Sequence, residues 1–417
     1  MFEWMEKPIK SLGRVVTGKT PPKVNNEYFE NGKELFVSPK DLDWDHFYVN
    51  ETQTVITEKA LEKFKNQVLP KNAVMFTSLS FAFGKMGIAS KNCLTNQQIN
   101  SIIVNNDHDF RFVYYLLKTY RPIIFSYNSG IDTPIVPKSV FEAILVKCPL
   151  LETQKKIAAI LCSYDDYIEN NKRRIALLEN MAEEIYREWF VRFRFPGYKT
   201  AEFEKGIPKS WEVKKIGDIY KTASGGTPSR KNDNNYDGDI NWLKTGELKN
   251  KFVFDSEEKI TLQGLESSSA KTFPAETVVI AMYCAMPDIT ILAEPSATNQ
   301  ACCAFLPKEK YLSYIYTYYL IKFSQIHMIQ YAHGAAQQNL SQDLIKGFNL
   351  LLADKESIQK FGETIEPIFE EIKILMRGNE NLTKTKESLL PRLISGKLSV
   401  EDLDIQFPPS MQEENAA

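Results

Sequence analysis

The stretch from Gly13 to Thr20, Gly-Arg-Val-Val-Thr-Gly-Lys-Thr, satisfies the phosphate-loop pattern G-x-x-x-x-G-K-[ST]. In that chemistry the lysine reaches the terminal phosphates, and a helix opening at Gly-Lys-Thr aims its N–H groups at the anion. Here Pro21 and Pro22 follow directly. A residue before proline is biased to extended geometry, which opposes a helix through the loop. The chain also carries a second version, "GDIYKTASGGTP" from Gly217 to Pro228, in which Gly226 stands in place of Lys19. A phosphate loop cannot dispense with that lysine. Both stretches therefore predict a polar turn, with hydroxyls and a cation (Lys23, Arg230) two residues beyond the proline. Such a turn either holds a phosphodiester backbone or is simply solvated, and its presence in both copies favours the first reading.

Other chemistries find no support. The six cysteines (93, 148, 162, 284, 302 and 303) form no CxxC pair and have only four histidines to help them, so no metal site is expected. The sequence lacks G-x-G-x-x-G and an Asn/Asp-Pro-Pro-aromatic motif for adenine methylation. Pro287-Asp288 is followed by Glu294-Pro295-Ser296 without a nuclease lysine. No catalytic residue and no cofactor are expected. With 417 residues, 43% hydrophobic and 25% charged, the chain is ordinary globular material for two or three domains. Its longest apolar runs, such as Thr277 to Met286, are near half of what a bilayer span needs, and no signal-peptide pattern opens the chain. The expectation is a cytoplasmic protein with reduced, buried thiols and no membrane contact. The formal charge of -2 does not announce a nucleic-acid binder, but the last seventeen residues hold five carboxylates and no base, leaving the rest mildly basic.

The elements that must position these residues repeat with a period of about 205 residues. Trp4, Ile9, Thr17, Gly18, Thr20 and Pro21 recur as Trp211, Ile216, Ser224, Gly225, Thr227 and Pro228. "LFVSPKDL" (35–42) answers "NWLKTGEL" (241–248), "TNQ" at 95–97 recurs at 298–300, and Gly130 corresponds to Gly334. Within each repeat, about 150 residues of short apolar-alternating runs and turns predict a mixed α/β globule with one helix, over 110–120 and over 311–323.

A long helix with heptad spacing follows each globule. One seam runs through Ile157, Leu161, Tyr164, Ile168, Asn171, Ile175, Leu178, Ala182, Ile185 and Trp189. The other runs through Ile358, Phe361, Ile365, Ile368, Ile372, Leu375, Asn379, Leu382, Lys386, Leu389 and Leu393. Steps of four and three over more than four heptads predict coiled-coil seams, each with one register-setting asparagine. In an antiparallel pair Asn171 faces Asn379. Pro367, Gly362 and Gly378 predict a kink or an irregular start in the second helix. The expected parts are globules at 1–150 and 196–352, helices at 151–195 and 353–397, and an acidic tail at 398–417.

This layout resembles the specificity subunit of Type I restriction–modification systems. The residues that carry the resemblance are "SGGTPSR" (224–230), "INWLKTGEL" (240–248), "ATNQACC" (297–303) and "HGAAQQNL" (333–340). With them go "PLLETQKKIAAIL" (149–161), "EEIYREWFVRFRFPG" (183–197) and "LLPRLISGKLSV" (389–400). The first copy departs from the family pattern at Lys19, Pro22 and "GIDTPIVPK". The resemblance implies an α/β fold of two target-recognition domains separated by two long helices in an antiparallel coiled coil. It implies a non-catalytic subunit that binds double-stranded DNA, each domain reading one half of a bipartite target. It further implies docking of two methyltransferase subunits and assembly with motor–nuclease subunits.

Candidate backbone anchors are Lys23, Lys40, Arg230, Lys231 and Lys244, because lysine and arginine near polar turns suit phosphates, and Lys19, Thr20, Thr227, Ser229 and Thr245 are further candidate DNA contacts. Candidate base readers are Gln97, Gln98 and Asn100, then Gln300, Gln337 and Gln338, because side-chain amides can pair bidentately with adenine, and His333 is a further candidate DNA contact. The "TNQ" segments are equally readable as structural hydrogen-bonding turns. A fused methyltransferase and a pure coiled-coil scaffold are the competing functional classes. The first lacks a cofactor motif, and the second leaves two similar globules with polar turns unexplained.

Overall fold

The computed structural model describes residues 4–44, 47–79, 81–130, 133–283, 287–334 and 339–412, with only the backbone described at His333 and Gly334. The chain forms two contact units, residues 1–169 with 381–417, and residues 170–380. Each unit is therefore assembled from segments far apart in sequence.

In the first unit a five-stranded sheet runs, in spatial order, Gly13–Thr17, Ile99–Val104, Val74–Thr77, Met86–Ala89 and Tyr48–Val49. A three-stranded sheet orders Thr54–Ile56, Glu34–Val37 and Cys93–Thr95, and Met5–Pro8 pairs with Leu145–Cys148. The second unit repeats this scheme. Its five-stranded sheet runs Tyr220–Ser224, Cys302–Pro307, Val278–Ala281, Ile289–Leu292 and Phe252–Val253. Lys259–Ile260, Tyr236–Leu243 and Ser296–Thr298 match the smaller sheet, which gains Thr272–Phe273, and Glu212–Lys215 pairs with Asn349–Leu352. Senses agree as well: Tyr48 pairs parallel with Ile88, and Phe252 pairs parallel with Ile291. Between the two larger sheets of each unit lie matching apolar residues, Val37, Leu42 and Val49 in one and Leu243, Leu248 and Val253 in the other. The repeat read from sequence is thus a repeat of topology.

One helix backs each large sheet. Helix α1 spans Phe110–Ser126, and its cap Asp109 accepts from the backbone N–H groups of Arg111 and Phe112, each at 2.9 Å. The pattern predicted 110–120; packing carries the helix on through Pro122. The second-copy helix begins at Tyr314, three residues later than predicted, because Ser313 caps it: its Oγ accepts from Tyr316 N at 3.2 Å.

Two long helices complete the units. Helix α2 spans Leu151–Tyr186 and closes in a π-helical turn at Arg187–Val191. With the second-copy backing helix taken as α3 (Tyr314–Gly334), helix α4 spans Lys355–Ile394. Helix α4 starts regularly and runs without a break through Gly362, Pro367 and Gly378, so the expected irregular start is not seen. The reason is burial. Phe361, Ile365, Phe369 and Ile372 flank those residues, are fully buried and pin the backbone through the lost hydrogen bond. No seam residue on either helix is exposed. In the first unit Ile157 and Leu161 share a core with Leu390, Leu393 and Ile394, and in the second Ala182 and Tyr186 share one with Ile358 and Phe361.

Within the second unit Asn171 Nδ2 donates to Asn379 Oδ1 at 2.9 Å, and Arg174 pairs with Glu371. Rising numbers on α2 meet falling numbers on α4, so the helices run antiparallel there. Residues 398–412, the described part of the acidic tail, form a strap on the first unit. Val400 and Met411 are buried, Lys156 Nζ donates to the carbonyl of Leu403 at 2.9 Å, and Ser410 Oγ donates to Asp166 at 2.7 Å.

The facing amides give a prediction. Two leucines in their place remove a polar pair from an apolar seam, so Asn171→Leu/Asn379→Leu should raise Tm by roughly 2–6 °C. Either single leucine strands the other amide and should lower it. Thermal unfolding of the four chains checks this; additive effects of the two substitutions would contradict the contact.

Candidate nucleic-acid interface

The two glycine-threonine turns are built in the same way. Strand Gly13–Thr17 ends where Gly18 lies against the carbonyl of Asn96 and the hydroxyl of Thr95, so close that any Cβ would collide. Gly225 lies in the same manner on Thr298. This contact between a turn and the end of the neighbouring strand is why glycine precedes the threonine motif in both copies. One residue pair then bridges the two turns. Thr20 Oγ1 donates to Gln97 Oε1 at 2.7 Å, and Thr227 Oγ1 donates to Gln300 Oε1. Gln97, Thr227 and Gln300 are exposed and Thr20 is half-buried. The "TNQ" segments are therefore hydrogen-bonded turns that also present an amide to solvent.

The phosphate-loop pattern has no phosphate-loop structure. Residues 13–17 are strand, no helix begins at Gly18, and the Lys19 ammonium lies over the Phe64 ring at 5.7 Å. At the Lys19 position of the second copy, a Cβ on Gly226 would strike Ser269.

The second turn is held from beneath. Trp242 Nε1 donates to the Gly226 carbonyl at 2.9 Å, Tyr236 OH to that of Pro228 at 2.6 Å, and Asn235 Nδ2 to that of Ser229 at 3.0 Å. Arg230 lies over the Tyr236 ring at 4.1 Å, and its Nη2 donates to Glu258 Oε2 at 2.8 Å. Lys244 Nζ donates to the same carboxylate oxygen at 3.3 Å. The hydrogen bond from Arg230 holds the Glu258 carboxyl down at about 2, with Lys244 adding to it. Ser229 and Lys231 are exposed beside this group, and Thr245 is half-buried at the start of the turn that follows Lys244. In the first copy Lys23 and Lys40 are exposed.

Not every candidate faces outward. Asn100 is a correction: it is 2% exposed and its polar atoms are taken, accepting from Thr17 Oγ1 at 2.7 Å and donating to Ser78 Oγ at 2.8 Å. It braces the sheet and offers no edge to a base. The partner of Ser224 at the matching register is Cys303, where Thr17 has Asn100, and the second copy braces Ser224 with Gln342 instead, at 3.2 Å. Gln98 is half-buried and its Oε1 accepts from Asn96 Nδ2 at 2.9 Å, which makes it part of the turn. Gln337 and Gln338 lie outside the described residues, as does the side chain of His333. Sequence reasoning missed Glu258, Tyr236 and Trp242, which hold or neutralise the basic residues. The cue was the acidic run Glu257-Glu258 among basic residues, which is unreadable without its partners.

The five described cysteines are buried and joined by no disulfide, and burial pushes the thiols of Cys93, Cys148 and Cys303 up to about 12. Among the described residues no His/Cys/Asp/Glu group could hold a metal ion, and no helix is long and apolar enough to cross a membrane.

Two copies of one scaffold, each presenting a threonine–glutamine bridge on paired turns, define a tandem recognition-domain protein. The profile of the family described as "Type I restriction modification DNA specificity domain" matches residues 1–180 and 208–384, and the chain belongs to that family. The Type I restriction enzyme MjaIX specificity subunit of Methanocaldococcus jannaschii is 27% identical over 416 residues, covering 96% of this chain and 95% of that protein. The HindI specificity subunit of Haemophilus influenzae is 23% identical, over 67% of this chain and 74% of its own. Among solved structures, the Type I restriction–modification S subunit of M. genitalium superposes with a TM-score of 0.62 at 15% identity, over 94% of this chain and 96% of that one. That likeness establishes a shared fold.

Glu258 masks two candidate anchors, which yields a prediction. Glu258→Gln should release Arg230 and Lys244, raise affinity for duplex DNA several-fold at low salt, and steepen the dependence of log K on log salt by about 1–2. A salt titration of binding checks it. Because the folded carboxyl titrates far below its ordinary range, the pair persists from pH 9 down through 5 and is lost only as pH falls toward 2, so the wild-type and variant curves should differ equally at pH 6 and 8.

Proposed function

We propose that this chain is the DNA-reading, non-catalytic subunit of a Type I restriction–modification complex. Each globular unit reads one half of a bipartite duplex target, and the helices α2 and α4 dock two methyltransferase subunits, with motor–nuclease subunits completing the assembly. The parts that do this are the globules 1–150 and 196–352, the helices 151–195 and 353–397, and the closing segment 398–417. The observation that carries the reading is the threonine–glutamine bridge repeated on topologically matched units. A protein with one active site has no use for two such clusters, whereas a reader of two half-sites does.

Within each unit the roles divide. Lys19, Thr20, Lys23 and Lys40 in the first, and Thr227, Ser229, Arg230, Lys231, Lys244 and Thr245 in the second, position the backbone. Gln97 and Gln300 present amides that can meet a base edge. Thr20 and Thr227 donate to the amide oxygens, which leaves each amide N–H₂ aimed outward as a donor to an acceptor such as adenine N7.

The test is to express Gln97→Ala and Gln300→Ala separately with the methyltransferase subunits and to map methylated sites across a genome. Gln97→Ala should relax one or two positions of one half-site, with each lost amide contact costing about 1–3 kcal/mol of discrimination, and leave the other half-site intact. Gln300→Ala should do the converse. Loss of discrimination in both halves from one substitution would refute the assignment of one unit to one half.

A further inference from the structure

The two units are alike in topology but not in how each globule is seated on its helices, and the difference is an exchange of a ring for a charge. Phe47 and Lys251 occupy one position. The Phe47 carbonyl accepts from Ile88 N at 2.7 Å, the Lys251 carbonyl accepts from Ile291 N at 2.8 Å, and both precede the edge strand of the large sheet. Both side chains approach the same tyrosine pair of the backing helix, Tyr114–Tyr115 in α1 and Tyr318–Tyr319 in α3. Each pair packs edge to face, with ring centroids 5.4 and 5.2 Å apart.

What meets the tyrosines from the long helices is reversed. In the first unit the Phe47 ring packs on Tyr114 at 5.0 Å, while α2 supplies Asp165, which accepts from Tyr115 OH and pairs at 2.7 Å with Lys386 of α4. In the second unit the globule supplies the ammonium, and α4 supplies a ring. Lys251 Nζ lies 4.8 Å from the Phe369 centroid and 3.2 Å from Glu179 of α2. Phe369 stands one residue past the seam position Ile368, as Asp165 stands one past Tyr164. By the same offset of 204 that takes Phe47 to Lys251 and Asp165 to Phe369, Lys386 corresponds to Ala182, and Glu179 to Thr383. Each seat thus holds one buried ammonium and one carboxylate, drawn from different elements. The side chains of Lys251 and Lys386 are only 4% and 5% exposed. At that burial a missing counter-charge is costly, so the two arrangements cannot be mixed freely. The hydroxyls differ accordingly: Tyr115 OH has the Asp165 acceptor, whereas Tyr319, whose ring packs on Phe369 at 5.8 Å, has a buried hydroxyl with no hydrogen-bond partner among the described residues.

We propose that these exchanged sets, Phe47–Asp165–Lys386 and Lys251–Phe369–Ala182 with Glu179, are a seat code that determines which globule each helical seat accepts. The consequence for DNA, that the code fixes which half-site reader occupies which seat, rests on the function proposed above. The code itself does not.

The test therefore uses thermal unfolding of the full chain without DNA. Recoding the second seat to the first type takes Lys251→Phe, Phe369→Asp and Ala182→Lys. Each single substitution should lower Tm by roughly 3–10 °C, since it leaves a buried charge or ring without its complement. The triple variant should lose less than any one of them. A triple variant whose loss reaches or exceeds the sum of its singles overturns the proposal. Because no DNA enters the measurement, the outcome is separable from that of the methylation mapping.

Discussion

Neither hydrophobic core is closed by its own globule. The sheet and backing helix of the first unit reach full burial only with Ile157 and Leu161 from α2 and Leu390, Leu393 and Ile394 from α4. The second needs Ala182 and Tyr186 from α2 and Ile358, Phe361 and Ile365 from α4. Burial of a large apolar side chain contributes about 1.5–3 kcal/mol, so a handful of such residues is comparable with the net stability of a domain. This shared closure explains why α4 remains helical through Gly362, Pro367 and Gly378, and why the strap after it folds back under Val400 and Met411.

On that base the surface turns can afford to be polar and exact in position. Gly18 and Gly225 bring the turn onto the neighbouring strand end, and Thr20 and Thr227 then reach Gln97 and Gln300. The turns are held by backbone contact and by these bridges, and Gln97 and Gln300 remain exposed. The second copy adds Trp242, Tyr236 and Asn235 beneath its turn, and it neutralises Arg230 and Lys244 on one carboxylate. Equal scaffolds with unequal polar dressing suit two recognition sites that need not read the same bases.

Much of this was legible in the sequence. The repeat follows from matched residues at nearly constant offset, and the helical seams from heptad steps, because both are periodic and local. The glycine-threonine turns were legible once Gly226 replaced Lys19 in the second copy. The turn chemistry beside them was half legible: "TNQ" proved to be a hydrogen-bonded turn whose last residue is exposed, while Asn100 was lost to the sheet interior. Burial of a polar residue at a strand position depends on the opposite layer, here Thr17 and Ser78, which no local pattern announces. The seat residues Phe47 and Lys251 were invisible for the same reason. They precede two-residue strands, and their partners lie on helices more than fifty residues away in sequence.

The most direct measurement is hydrogen–deuterium exchange of the chain with its methyltransferase subunits, free and bound to its bipartite duplex and to duplexes holding one half-site. The account predicts protection over residues 17–23 and 95–98 together with 224–231 and 298–302 on the full target, and over only one of these two sets on either half-site alone. Protection of both sets by a single half-site, or of neither set by the full target, would contradict it.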